Sequence, residues 1–208
     1  KIFDYTAGVT VVSDLMDVPL VTGSTLRIGG DMVLGGRLTG CVGAVGVASY
    51  MTARKGTAPG DVLLMTEGAG GGTIATTAIY SGFPEVVEKT INLQFLRACE
   101  ALLADPVIHE IHAMTDVTNG GLRGDVYEIA ETANCRIMIE EEHVRGLVDP
   151  AVGEMLESLK IDYLGVSLDA LLLVAPRQAV PAITGLMDSI GVKVAEIGRV
   201  EAGPPGAA

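Results

Sequence analysis

The chain has 208 residues, 14 Lys plus Arg against 26 Asp plus Glu, and a formal net charge of −12. Hydrophobic residues make up 49%, enough for a sizeable core, so disorder is excluded. The acidic balance, without any cluster of Lys or Arg, argues against nucleic acid and against an anionic membrane surface as partners.

In chain order, residues 5–16 read as a helix with Val9, Val12, Leu15 and Met16 on one side. Residues 18–22 read as a short buried strand and residues 40–48 (GCVGAVGVA) as another. Gly and Pro in KGTAPG, residues 55–60, mark a loop and a boundary. Beyond it, DVLLMT (61–66) is a buried strand, 68–72 a glycine loop and 73–80 a helix. Residues 85–103 read as one helix with Ile91, Phe95, Leu96, Ala98 and Leu102 inward. A strand at 109–114, a helix at 121–132, a strand at 136–139 and a helix at 151–159 follow. The buried strand 170–175, a helix at 178–190 and a strand at 194–200 complete the pattern, and GPPGAA (203–208) reads as a frayed, disordered tail. Alternating strands and helices predict an α/β or α+β chain, a mixed sheet covered by helices.

No uncharged stretch is long and apolar enough to span a bilayer, and KIFDYTAG has no signal-peptide pattern. Cys41, Cys99 and Cys135 have no CxxC spacing and read as small buried hydrophobes of a cytoplasmic protein.

Three segments could carry chemistry. In MTDVTNGGLRGD (114–125) a strand ends, Asp116, Thr118 and Asn119 precede the pair Gly120–Gly121, and a helix begins. The glycines permit a sharp turn and close approach to a ligand, and the helix start favours an anion. An ordinary helix cap explains the same residues equally well. TEGAGGGT (66–73), with Gly70 and Gly71, also joins strand to helix but matches neither a Walker A loop nor GxGxxG, and reads more simply as a tight turn. VTGSTLRIGGD (21–31) offers Gly23, Ser24, Thr25 and Arg27 for a phosphate and Asp31 for Mg²⁺, although such clusters are usually turns. His109 and His112 lack the spacing of a helical zinc site and, three apart on a strand, would face opposite sides, so one of them reads as an ordinary surface histidine rather than a metal ligand; His143, after an acidic run, reads as part of a solvated strand end.

Three features in order, GDVLLMTEGAGG (60–71), TDVTNGGLRGDVYEIAETA (115–133) with CRIMIEEEHV (135–144), and YLGVSLDALLLVAP (163–176), resemble the carboxy-terminal domain of the aminoimidazole ribonucleotide (AIR) synthase superfamily, closest to its hydrogenase-maturation branch. The resemblance covers about residues 38–200. It implies that residues 1–53 are the end of an amino-terminal ATP-binding domain and 54–202 the carboxy-terminal domain. A start at Lys1 leaves no room for the family's earlier Mg²⁺-binding aspartates, so the chain is expected to be a piece of a longer protein. VPLVTGST (18–25) is similar to a family segment near the nucleotide, with Gly23 and Thr25 matching and Ser24 departing from the usual polar or acidic residue.

The activity implied is transfer of phosphate from ATP, with Mg²⁺, to an amide or other oxygen of a small molecule or protein group. Asp116 would be the catalytic residue, with Gly70, Gly71, Thr118, Asn119, Gly120 and Gly121 binding substrate or nucleotide, alongside Gly23, Ser24, Thr25 and Arg27. The partners implied are a small-molecule substrate or a maturation protein, and a second copy in a homodimer. Two other readings are a non-catalytic dimerising or maturation-partner module, supported by Ser24 and the absence of a cysteine in GPPGAA, and a binding domain for a phosphorylated metabolite.

Overall fold

The computed structural model describes residues 2–23, 41–91 and 93–208. The chain forms two compact units, Lys1–Ala48 and Ser49–Ala208.

In the first unit α1 spans Ile2–Leu15, the helix read from the sequence. Its expected inward side is only partly realised: Val9 is half-buried, whereas Val12 and Leu15 are exposed. The strands expected at 18–22 and 40–48 are not formed in residues 18–22 and 41–48. Val21, Val45 and Val47 are almost fully exposed. A strand exists only as part of a ladder, and an apolar run by itself supplies no partner.

The second unit is built on a six-stranded sheet. Its strands are β1 (Asp61–Thr66), β2 (Ala113–Asp116), β3 (Arg136–Ile139), β4 (Leu171–Pro176), β5 (Val194–Glu201) and β6 (Gly206–Ala207), in the order β2-β4-β1-β5-β3-β6. All pairings are antiparallel except β3 with β6. Its helices are α2 (Gly72–Ser81), α3 (Pro84–Lys89), α4 (Gln94–Ala104), α5 (Gly121–Ala133), α6 (Glu141–Arg145), α7 (Pro150–Ser158) and α8 (Val180–Ser189). A mixed sheet with helices on both faces is the class expected.

The central strand β1 is buried at every position, which is why its sequence is a continuous apolar run rather than an alternating one. Strand periodicity sends Leu63 and Met65 to one face, packed with Leu122, Val126 and Ile129 of α5. Leu64 goes to the other face, with Ala98 and Leu102 of α4 and Ile183 and Met187 of α8. A third cluster joins Ile74 and Ala78 of α2, Val86 of α3, and Val152, Met155 and Leu156 of α7. Helix ends follow local chemistry. Gly82 and Asn134 adopt left-handed conformations just past α2 and α5. Asp149 accepts the Ala151 N–H at 2.9 Å to cap α7.

Four sequence expectations are corrected here. The single helix over 85–103 is two helices, α3 and α4, and Ile91 between them is exposed rather than inward. The strand at 109–114 starts later: Pro106–Glu110 is a 3-10 turn capped by Asp105, which accepts the Val107 N–H at 2.8 Å. The tail is not frayed. The Ile139 N–H donates to the Ala208 carbonyl at 2.7 Å and the Ala208 N–H to the Ile137 carbonyl at 3.0 Å, so it closes the sheet edge. Of the cysteines, only Cys135 is buried; Cys99 is partly buried and Cys41 exposed. In addition, His143 lies in α6, not at a strand end.

Candidate functional site

Strand β4 runs antiparallel to both β1 and β2 and lies between them. The C-terminal ends of β1 and β2 and the N-terminal end of β4 therefore share one end of the sheet. Three connections meet there. The Val117 N–H donates to the Ala170 carbonyl (2.8 Å), the Leu168 N–H to the Val117 carbonyl (3.1 Å), and the Gly70 N–H to the Leu168 carbonyl (2.8 Å). Thr66, fully buried, accepts the Leu171 N–H on its hydroxyl at 2.9 Å.

Loop 116–121 is the outer part of this junction. Gly120 (φ 96°) and Gly121 (φ 63°) are both left-handed. At Gly121 a Cβ would fall 2.4 Å from the Leu164 carbonyl oxygen and 2.6 Å from the Val166 nitrogen. Only glycine lets α5 start this close to the 164–166 backbone. Asp116, Asn119 and Gly120 are exposed, Thr118 half-buried and Gly121 buried. No side chain caps α5, so the ordinary-cap reading of Asp116 and Asn119 fails. The Gly121 N–H already donates to the Thr118 carbonyl at 2.9 Å, so only the remaining N–H groups of the first turn, beside exposed polar side chains, are available to an anion.

Gly70 and Gly71 are buried and face the chain itself: a Cβ on Gly70 would meet Ile74, and one on Gly71 would lie 2.3 Å from Asp169 Oδ2. Their observed job is close packing. Asp169 escaped the sequence reading. It is left-handed (φ 48°), and its Oδ1 accepts the Ser167 hydroxyl at 3.0 Å. The available signal was an Asp directly before the buried run ALLLVA, where a strand must be entered from a turn. Gly23 lies exposed in the other unit, and Ser24, Thr25, Arg27 and Asp31 lie outside the described residues.

A second group that sequence reasoning missed surrounds Asp125, on the inner side of α5. Arg54 Nη2 is 3.7 Å from Asp125 Oδ1 and donates to Thr115 Oγ1 at 3.2 Å, while Nη1 pairs with Glu128. Asp125 is 6% exposed, and its Oδ2 has no hydrogen-bond partner. Burial pushes its carboxyl up to about 6, reinforced by Asp116 and Glu128 and opposed by Arg54 and the Thr118 backbone N–H.

The fold thus favours the protonated form. Asp125 weakens folding as pH rises from the unfolded value of 3.8 through about 6, and the cost is complete above that. That cost is on the order of 3 kcal/mol. Asp125→Asn is therefore expected to melt higher than wild type at pH 7.5 and to lose that advantage at pH 4.5. Thermal unfolding across that range checks it; parallel curves would contradict it.

At the opposite end of β1, Asp61 is buried and its Oδ2 lies 2.7 Å from His112 Nδ1 while accepting the Ala58 N–H at 2.8 Å. His112 is therefore a tethered residue rather than a free surface histidine. His109 meets Tyr50 edge-on at 4.8 Å. Among the described residues no group of three or more His, Cys, Asp or Glu side chains is placed to hold a metal.

The model of the family described as AIR synthase related protein, C-terminal domain, matches residues 58–208. An uncharacterised protein of Methanocaldococcus jannaschii, MJ1416, is 51% identical over 205 residues, 98% of this chain and 44% of that protein. Selenide, water dikinase of Myxococcus xanthus is 29% identical over 231 residues, 96% of this chain and 63% of that enzyme. Among solved structures, E. coli HypE, a hydrogenase maturation protein, aligns with a TM-score of 0.60 at 24% identity over 79% of this chain and 50% of HypE. HypE in complex with ATP (TM-score 0.54, 21% identity) and a HypE–HypF complex (0.56, 22%) share the fold over 72% and 73% of this chain and 45% and 50% of theirs. The chain spans 44% and 63% of the lengths of the two curated relatives. No described helix is long and apolar enough to cross a membrane. On the match over residues 58–208, the chain belongs to the AIR synthase-related family and carries its C-terminal domain.

Proposed function

We propose that the chain is the substrate-binding part of an ATP-dependent enzyme that phosphorylates an amide or other oxygen of a small molecule or protein group. The observation that carries this reading is the convergence of the connections after β1 and β2 and before β4, with Asp116, Asn119 and Gly120 exposed and α5 uncapped. Open N–H groups fixed in advance are the means by which a fold stabilises charge developing on transferring phosphate. In this reading Asp116 acts at the reacting group, and Thr118, Asn119, Gly120 and Gly121 bind substrate or the far end of ATP. Residues 1–53 are the end of an ATP-binding domain and contribute Gly23, Ser24, Thr25 and Arg27. ATP use is supported by membership of the family and by the HypE of this fold that holds ATP. Mg²⁺ would supply charge neutralisation on the phosphates, and a cytoplasmic setting fits the reading.

The test is a thermal-shift titration of the natural full-length protein with Mg-ATP. A ligand that binds only the folded state at 100 times its Kd stabilises by about 2.7 kcal/mol, a rise of several degrees. No rise at millimolar Mg-ATP would contradict the proposal. It would favour instead the reading of a maturation-partner module, to which the HypE–HypF complex lends support and which predicts a stable protein complex without ATP turnover.

A further inference from the structure

We propose that Arg54 is a positioning residue for Asp116, acting through the Thr115 hydroxyl and gripping both flanks of loop 116–121 at once. Only its consequence for turnover rests on the function proposed above; the positioning itself is a property of the fold.

The first observation is the set of contacts on one guanidinium. Arg54 Nη2 donates to Thr115 Oγ1 at 3.2 Å and lies 3.7 Å from Asp125 Oδ1, and Nη1 pairs with Glu128. Thr115 lies on β2, immediately before the loop; Asp125 and Glu128 lie on α5, the helix that leaves it. A hydroxyl has one hydrogen to give and two lone pairs to accept with. Because the Arg54 N–H takes a lone pair of Thr115 Oγ1, the hydroxyl hydrogen is left for the Asp116 carbonyl, to which Oγ1 donates at 3.4 Å. The N–H of the same peptide unit, on Val117, donates to the Ala170 carbonyl at 2.8 Å. Both polar atoms of the peptide that follows Asp116 are therefore held, and with them the direction of the Asp116 Cα–Cβ bond.

The second observation is independent of these contacts. The 3-10 turn Arg54–Gly56 is pressed onto the chain that enters β2: a Cβ on Gly56 would lie 2.8 Å from the His112 carbonyl oxygen. Just before the turn, the Tyr50 hydroxyl lies 3.4 Å from the carbonyl oxygens of both His109 and Ile111. Arg54 thus starts from backbone fixed against β2, and its fork meets strand and helix at a set separation. A planar guanidinium spans acceptors spread in this way; an ammonium is a point charge without a fork.

The experiment measures amide hydrogen exchange and Mg-ATP turnover in the full-length protein for Arg54→Lys, Thr115→Val and Thr115→Ser. Arg54→Lys keeps a cation beside Asp125 and Glu128, and Thr115→Val keeps a β-branched strand residue, so both should fold and melt close to wild type. In both, the Val117 and Gly121 amides should exchange about tenfold faster while the amides of β1 do not change. The kcat should fall roughly tenfold to a hundredfold with the KM for Mg-ATP unchanged, because orientation and not affinity is lost. Thr115→Ser keeps the hydroxyl and should recover both readouts. Loop exchange at the wild-type rate in Arg54→Lys or Thr115→Val would overturn the proposal. So would Thr115→Ser behaving as Thr115→Val does, or faster loop exchange without any loss of kcat. Should the wild-type protein turn over no Mg-ATP while loop exchange responds as stated, the function reading fails and the positioning stands.

Discussion

Gly121→Ala is expected to lower the melting temperature by roughly 10 °C or more, the largest effect of any single methyl group in the candidate loop. Two costs add. A left-handed φ of 63° costs an L-residue with a side chain about 1 kcal/mol. The new Cβ would also lie 2.4–2.6 Å from backbone atoms of Leu164, Gly165 and Val166. Backbone cannot rotate aside as a side chain end can, so α5 or the 164–166 segment must move, at a further ~2–4 kcal/mol. Gly124→Ala, three residues along the same helix, is the matched control. Its Cβ would meet nothing within 4 Å, and Ala is the better helix former by about 0.8–1 kcal/mol. It should melt slightly higher than wild type. Thermal unfolding of the pair checks the argument, and similar behaviour of both would mean that the close approach at Gly121 is not what holds the loop.

Much of the second unit was legible because its segments carry their own periodicity. The run DVLLMT could only be a strand buried on two faces, and LLLVA likewise. Leu122, Val126 and Ile129 recur at helical spacing, and α5 packs on them. The Asn-Gly-Gly junction announced a sharp turn, and both glycines are left-handed. The misses share a cause: each depends on a partner distant in sequence. GPPGAA has the composition of a linker, yet two hydrogen bonds to β3 order it. Residues 18–22 and 41–48 have the composition of strands but gain no ladder in the described structure. Thr90 and Ile91 interrupt what reads as one helix, because α3 packs toward α7 while α4 packs on β4 and α8. The Arg54–Asp125 contact spans 71 positions, and no local pattern signals it.

The candidate site was half legible. Glycine pairs after apolar strands marked two loops that the structure brings to one end of the sheet, because that is where a chain must turn from strand to helix. They could not distinguish a loop that faces outward from one that packs inward. Burial makes the distinction: Gly120 is exposed at the start of α5, whereas Gly70 and Gly71 lie against Ile74 and Asp169. The residue that sits at that inner junction, Asp169, carries a backbone conformation rather than a motif, which a sequence does not display.

The central claim is that loop 116–121 is where the chemistry is done, and Asp116→Ala in the full-length protein tests it most directly. Asp116 is exposed at the end of β2, so its loss should move the melting temperature by no more than about 2 °C. If its carboxylate acts on the reacting group, Mg-ATP turnover should fall about 100-fold or more, some 2.7 kcal/mol of transition-state stabilisation. A stable Asp116→Ala protein with that loss is the predicted result. Turnover equal to wild type, in a protein that melts as wild type does, would contradict the account and move the search for the reacting group to another part of the molecule.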